Sequence, residues 1–304
     1  MINRKNNLFS NILKLFIICV FVFVLIDSTM TENEKQNTYI EPEANLTKIL
    51  WAHAVNDKKK LSDALSSNDV DMLEADVVLG VLIDNPISKP FPIMGHPPNF
   101  ISDLSLEKFL LTVFEFNQNQ NVTKGIKLDF KSIDVFEQSL EIINKLYDKM
   151  EYPVWINADI LSGPIESKVK PVDPDRFLSG AKQFTRSILS IGWTTKYGPD
   201  NSNGTYSESN IKEMINVIND NNVTQSITFP VRAGLAAQSF KEILKLIEKI
   251  NGSTLTIWSS ENDPVNVEDL RKLIFAVGLD RTYVDVPEDL RKELHLDQPP
   301  TSLS

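Results

Sequence analysis

Short apolar runs of strand length alternate with longer amphipathic segments along most of the chain. Such alternation is typical of repeated strand and helix units. It predicts strands at Lys48–Ala54, Met72–Leu79, Phe91–Gly95, Gly125–Phe130, Val154–Ala158, Ser187–Trp193, Ser226–Val231 and Thr254–Trp258. It predicts helices at Asp57–Ser66, Ser105–Phe116, Ile133–Met150, Pro174–Thr185, Glu208–Asp220, Gln238–Ile250 and Val267–Val277, several with apolar residues at i, i+3 and i+4.

Eight strands alternating with helices over about 240 residues predict an α/β protein with a (β/α)8 TIM-type barrel. A doubly wound open sheet is the alternative, but no glycine-rich phosphate loop follows the first strand. We therefore divide the chain into a leader (1–30), a polar linker (31–46), the barrel domain (47–287) and a polar tail (288–304).

The amino terminus predicts entry into the secretory pathway. Arg4, Lys5 and Lys14 precede an apolar run from Leu15 to Ile26, which is the architecture of a signal peptide. An uncleaved signal anchor is the alternative, although a spanning helix needs about 20 apolar residues and this run is shorter. Five sequons support secretion and predict N-glycosylation at Asn45, Asn121, Asn203, Asn222 and Asn251. We expect a secreted, extracellular protein, with a type II membrane-anchored form as the alternative and membrane contact only if the leader is retained.

The net charge and the cysteine content argue against several classes of partner and site. A formal net charge of -10 and a pI near 4.9 argue against a nucleic-acid partner, which would attract a basic surface. The single cysteine, Cys19, lies in the leader, so the mature chain is expected to have no disulfide, no catalytic thiol and no cysteine-zinc site.

Polar residues close, or lie late in, three early apolar runs: His53, Glu74 with Asp76, and His96. A parallel barrel keeps its chemistry at the carboxyl ends of its strands, so we expect these side chains at one rim. Glu74 and Asp76 share a strand face because side chains alternate across a strand. Asn157 and Asp159 share a face in the same way and are expected at the same rim.

Lys127, Asp129 and Lys131 form a charged row on one face of the Gly125–Phe130 strand and its end. Three carboxylates, those of Glu74, Asp76 and Asp129, can hold a hard cation such as Mg2+ or Ca2+ through oxygen. The alternative is that Glu74 and Asp129 form internal salt bridges with Lys127, Lys131 or Arg232. The charged row by itself leaves both readings open.

The ordered set resembles the phospholipase C-like phosphodiesterase superfamily, which includes glycerophosphodiester phosphodiesterases and sphingomyelinase D-type enzymes. His53, Glu74-Ala75-Asp76 and His96 match its main motifs, and Asp129, Lys131 and Trp258 match further positions. Within that superfamily the chain is most similar to the menorin family from about Leu50 to Asp285. The similar strings are Trp51-Ala52-His53-Ala54-Val55-Asn56, Leu73-Glu74-Ala75-Asp76-Val77, Gly125-Ile126-Lys127-Leu128-Asp129-Phe130-Lys131, Trp155-Ile156-Asn157-Ala158-Asp159-Ile160 and Phe229-Pro230-Val231-Arg232-Ala233.

The superfamily resemblance implies metal-assisted attack on a phosphodiester. Mg2+ or Ca2+ on the three carboxylates would neutralise the phosphoryl oxygens, with His53 and His96 as base or nucleophile and as acid. The substrate is expected to be a phosphodiester, such as a lysophospholipid headgroup. The residues expected to contact it are Lys127, Lys131, Asn157, Arg232 and Trp258.

Two departures from the enzymes' motifs favour a different function. Ala54 stands where a phosphate-binding arginine follows the first histidine, and Pro97 stands where an aspartate follows the second. The menorin resemblance implies an extracellular or membrane-tethered barrel that acts with cell-surface proteins. The alternative is therefore a non-catalytic extracellular binding protein with a cell-surface protein partner.

Overall fold

The computed structural model of the protein describes residues 45–120, 122–165 and 167–299. The predicted leader, most of the predicted linker, Asn121 and residues 300–304 lie outside the described residues. Among the helices described, none combines the length and the apolar character needed to cross a membrane.

Parallel strands form a nearly closed barrel in the described part of the chain. The strands are β1 (Trp51–Ala52), β2 (Met72–Leu82), β3 (Phe91–Met94), β4 (Ile101–Ser102), β5 (Gly125–Phe130), β6 (Val154–Ser162), β7 (Ile188–Thr194), β8 (Ile227–Arg232), β9 (Thr254–Trp258) and β10 (Thr282–Asp285). Eight of them follow one another around the barrel in the order β1-β2-β5-β6-β7-β8-β9-β10, every neighbouring pair parallel. This arrangement confirms the predicted TIM-type barrel.

The third and the last barrel strand differ from the prediction. The predicted third strand forms β3, which lies off the barrel and runs antiparallel to β2, with Met94 opposite Val77. β3 can pair there because β2 continues past the residues that pair with β5. The last two residues of β2 pair with β4. The eighth barrel strand is β10, which was missed because four residues are too few to show a period. β1 is shorter than predicted, since Leu46–Lys48 forms a 3-10 turn.

Several helices begin close to their predicted starts because polar side chains cap them. They are α1 (Lys58–Ser66), α2 (Leu106–Asn119), α3 (Ile133–Tyr147), α4 (Pro174–Ala181), α5 (Glu208–Asp220), α6 (Ala233–Ala237), α7 (Phe240–Lys249), α8 (Val267–Val277) and α9 (Glu288–Glu293). Asp57, Ser105 and Ser132 each accept a hydrogen bond from the backbone N–H three residues later. The short helix α6 was not predicted.

An aromatic layer fills the amino-terminal end of the barrel. The Trp155 ring packs edge-on against Trp51 and Tyr283, at centroid distances of 5.0 and 4.8 Å, next to Met72 and Leu46. One strand pleat further on, the interior becomes polar, and the buried hydroxyls of Thr228 and Thr256 lie 2.7 Å apart. The barrel therefore changes from apolar to polar along its axis towards the carboxyl rim.

We expect Trp155→Ala to lower the free energy of unfolding by about 3–5 kcal/mol, because it leaves a cavity in the aromatic layer. Urea unfolding followed by circular dichroism measures this change. Val169→Ala, at a site that is 62% exposed, is the control and should shift the value by about 0.5 kcal/mol or less. A Trp155→Ala loss as small as that of the control would show that the layer contributes little to stability.

Candidate functional site

The structure brings together the three predicted carboxylates. β2 and β5 pair with Asp76 opposite Asp129 and Glu74 opposite Lys127. One ligand oxygen from each of Glu74, Asp76 and Asp129 lies within 4.8 Å of the others. Glu74 and Asp76 are buried and Asp129 is partly buried. Three convergent carboxylates at the carboxyl rim are a donor set suited to a hard divalent cation.

Lys131 neutralises part of this carboxylate cluster. Its Nζ lies 2.7 Å from Asp76 Oδ1 and 2.5 Å from Asp129 Oδ2. Burial alone would lower the pKa of Lys131, but the charges of Asp129 and Asp76 outweigh it and hold that pKa well above its usual value. Burial would raise the pKa of Asp129, but Lys131 and Lys127 hold it below its usual value. An internal salt bridge from Asp129 to Lys131 is thus present.

Two asparagines fix the remaining oxygens of the aspartates. Asn56 Nδ2 donates to Asp76 Oδ2 at 2.7 Å, and Asn56 Oδ1 accepts from the Asp76 backbone N–H at 2.9 Å. Asn157 Nδ2 donates to Asp129 Oδ1 at 2.7 Å. The Oδ1 atom of Asn157 is buried and has no hydrogen-bond partner among the described residues. Asn157 was predicted at the rim, whereas Asn56 was not singled out, although it stands three residues after His53.

His53 lies between two carboxylates. Its Nδ1 is 3.2 Å from Asp285 Oδ2 and 3.5 Å from Glu74 Oε2, which also accepts from the Ala54 backbone N–H at 2.8 Å. The charge of Glu74, with that of Asp285, raises the pKa of His53 to about 9, although burial opposes it. The imidazole is 58% exposed, so it can reach a ligand at the rim.

Asp285 is the residue of this group that sequence reasoning missed. It ends β10 directly after Tyr283 and Val284. Burial would raise its pKa, but the hydrogen bond and charge of His53 hold the pKa below its usual value. An apolar run that ends in an acidic residue was the available signal, the same one that identified the earlier rim residues.

Burial raises the pKa of both Glu74 and Asp159. Burial, together with the charge of Asp76, raises the pKa of Glu74, while His53 opposes the shift. Burial, with the charge of Asp129, raises the pKa of Asp159 to about 7. Asp159 follows Asn157 by two residues on β6 and so shares its strand face. A carboxyl group that titrates near neutrality can donate or accept a proton at physiological pH.

His96 reaches the rim by a different route from the one predicted. It follows the antiparallel strand β3, not a third barrel strand. The Gly95 N–H donates to Asp76 O at 2.9 Å, which places this segment beside the carboxylate cluster. The His96 ring is exposed, and its Nδ1 lies 2.7 Å from Pro97 O. The hydrogen bonds and ion pairs of the described residues do not connect His96 with His53 or the three carboxylates.

Arg232 does not neutralise the carboxylate cluster. Its guanidinium makes two hydrogen bonds to Asp263, at 2.8 and 2.9 Å. It also lies 4.9 Å from the Trp258 ring centroid and 5.4 Å from that of Tyr197. The alternative that Arg232 bridges to Glu74 or Asp129 is therefore wrong, because Asp263 is already its partner.

Lys127 is buried near the aromatic layer. Its Nζ lies 5.8 Å from the Trp51 ring centroid, between the aromatic layer and the carboxylates.

Three of the predicted glycosylation sites, Asn203, Asn222 and Asn251, are exposed and lie outside the helices and strands. Asn45 Oδ1 accepts from Thr47 Oγ1 at 2.6 Å, and Thr47 is buried.

Comparison with known proteins matches the barrel as a whole. Residues 45–291 match the sequence model of the Menorin N-terminal domain. Protein FAM151B of Homo sapiens is 41% identical over 246 residues, which cover 81% of this chain and 84% of that protein. The domain match contains all ten strands, and with them every residue of the carboxylate cluster and its partners.

We expect Lys131→Met to lower the free energy of unfolding by about 3–5 kcal/mol, because it leaves Asp76 and Asp129 buried without their shared counter-charge. The double variant Lys131→Met/Asp129→Asn removes one of the unpaired charges and should recover part of the loss. Thermal and urea unfolding measure both. Equal stability of the wild type and Lys131→Met would contradict a stabilising role for this bridge.

Proposed function

The chain belongs to the menorin family, and on that premise we propose that its rim carries a divalent-metal site of phosphodiesterase type. The proposed reaction is hydrolysis or cyclisation of a phosphodiester, such as a lysophospholipid headgroup. The observation that supports it most is the convergence of Glu74, Asp76 and Asp129 oxygens within 4.8 Å. This would also place the chain in the phospholipase C-like superfamily.

The donor set fits Mg2+ or Ca2+. All three side chains offer carboxylate oxygens, the ligands that these hard cations prefer. Asn157 adds a buried amide oxygen that no described residue uses, on the same amide whose nitrogen holds Asp129. When bound, the cation supplies positive charge to the phosphoryl oxygens as negative charge develops there.

Residues of the chain itself would carry out proton transfer and add positive charge at the phosphoryl group. Glu74 and Asp285 hold Nδ1 of His53 and raise its pKa to about 9, so the protonated ring would give its Nε2 proton to the leaving oxygen. Lys131, 24% exposed, adds positive charge beside Asp129 and takes over part of the role of the arginine that Ala54 replaces. His96, which is exposed and follows Gly95 beside Asp76, would take the proton of the attacking hydroxyl or water, and Asp159 is a second group that can do so near neutral pH.

A non-catalytic extracellular binding function is the second candidate. Ala54 removes the usual phosphate-binding arginine, and the charge of Arg232 is already paired, because Asp263 holds the Nε and Nη2 edge of its guanidinium. A rim whose cations are already paired would bind phosphate weakly. In this reading the barrel binds a cell-surface protein, and Lys131 maintains the structure of the rim.

Turnover of a phosphodiester, assayed with and without Mg2+ or Ca2+, tests the first function. We use bis(p-nitrophenyl) phosphate and lysophosphatidylcholine as substrates. Asp129→Asn and His53→Ala should each lower kcat/KM by about 100-fold or more, because they remove a metal ligand and a proton-transfer group. His295→Ala is the matched histidine control, since His295 is exposed and follows α9.

Two results would contradict the phosphodiesterase proposal. One is the lack of metal-stimulated turnover of either substrate by folded wild-type protein. The other is full turnover by His53→Ala together with unchanged metal affinity of Asp129→Asn in calorimetry. Metal binding without turnover would favour the binding function.

We also propose that the protein is secreted with N-glycans, on the basis of its leader and sequons. Glycosidase treatment of protein from the culture medium should increase its gel mobility. Replacing Asn203, Asn222 and Asn251 by Gln should remove most of that shift, because these three asparagines are exposed. Retention in the cytosol, or unchanged mobility after treatment, would contradict the proposal.

A further inference from the structure

A hairpin arm, defined here as residues 79–102, extends from β2 beyond the strand pairing of the barrel. β2 pairs with β5 as far as Val77, and its later residues pair with β3 and β4 instead. Most of the large hydrophobic side chains that the described residues expose lie on this arm. They are Ile83 (64% exposed), Ile87 (94%), Phe100 (48%) and Ile101 (50%).

Backbone hydrogen bonds join the two sides of the arm. The Val81 N–H donates to Phe100 O at 3.0 Å, and the Ile83 N–H donates to Ser102 O at 2.9 Å. Gly80 permits this approach, since a Cβ atom there would lie 2.3 Å from Phe100 O. The arm therefore presents its apolar side chains on a fixed framework, which lowers the entropy lost when a surface binds them.

The composition of the arm indicates which kind of partner surface its exposed apolar side chains fit. Asp84 and Lys89 are its charged residues apart from His96, and they cancel, in a chain with a formal net charge of -10. The arm also contains Pro86, Pro90, Pro92, Pro97 and Pro98, each lacking a backbone N–H. Proline weakens the arm as a template for an added peptide strand. An apolar, net-neutral patch in which five residues lack a backbone N–H matches an uncharged surface better than an anionic one or a strand partner.

We propose that the hairpin arm docks on the surface of a zwitterionic lipid bilayer, with Ile83 and Ile87 entering the interface. Phe100 and Ile101, just before and at the start of β4, add apolar area. The arm returns to the barrel at Gly95, whose N–H is bonded to Asp76 O, so the docked bilayer lies on the side of the carboxylate cluster. This inference does not rest on the proposed phosphodiesterase function.

Co-sedimentation with phosphatidylcholine vesicles tests the docking surface, with processed protein collected from the medium of expressing cells. Wild-type protein should sediment with the vesicles. Ile83→Asp and Ile87→Asp should each weaken partitioning by about tenfold or more, because a charge replaces buried apolar area at the interface. Val122→Asp is the matched control: Val122 is 59% exposed but precedes β5, at the opposite end of the barrel. It should partition like the wild type.

Sedimentation velocity without lipid separates a lipid partner from a second copy of the chain. A wild-type dimer that Ile87→Asp converts to a monomer would overturn the proposal and assign the arm to self-association. Failure of the wild type to bind vesicles, or equal binding by the Ile87→Asp variant, would also overturn it. All three substituted positions are exposed, so unchanged thermal midpoints are expected and confirm that the variants are folded.

Discussion

Burying Glu74, Asp76 and Asp129 side by side costs free energy, because like charges repel and lose their hydration. Lys131 offsets this cost by bonding two of the three carboxylates. Asn56 and Asn157 hold the aspartate oxygens that Lys131 leaves over. The rim is therefore a neutralised network in which each aspartate has a fixed orientation, and both candidate functions must start from it.

This network also bears on how a cation would bind. A divalent ion on the aspartates would share or take over oxygens that now contact Lys131. Burial raises the pKa of Glu74, and the additional positive charge of an ion would lower it again. The three carboxylates would hold such an ion, and Lys131 would then supply its positive charge to a phosphoryl group. A barrel that only binds a protein needs neither, and Lys131 then stays in place.

The parts of the site that follow from strand periodicity could be predicted from the sequence. Alternation placed Glu74 with Asp76, and parallel strands placed them beside Asp129. The path of β3 could not be predicted, because an antiparallel return strand and a parallel barrel strand have the same short apolar pattern. Asp285 was missed for the related reason that β10 is only four residues long.

The hydrogen-bond partners of the strand-borne polar residues also could not be predicted from the sequence. Arg232 follows an apolar run just as the rim residues do, but its partner Asp263 comes from the loop after β9, whose path no periodic pattern reveals. Asn56 is similar, since it lies in the loop between β1 and α1. Loop residues that hold the strand-borne groups require coordinates, because their position depends on how the barrel closes.

The place where the barrel closes gives His53 a special position. β1 and β10 end the strand order, and the described strand pairings do not join them directly. Side chains connect them instead: His53 contacts Asp285, and Trp51 packs edge-on against Tyr283. Arg291 reinforces this seam by donating to Thr47 O at 2.8 Å. The carboxylate cluster lies on β2 and β5, on the β1 side of the seam, and Glu74 lies 3.5 Å from His53. Opening of the seam would therefore separate His53 from Asp285 while leaving the three carboxylates together, so proton transfer and cation binding can respond separately to the same distortion.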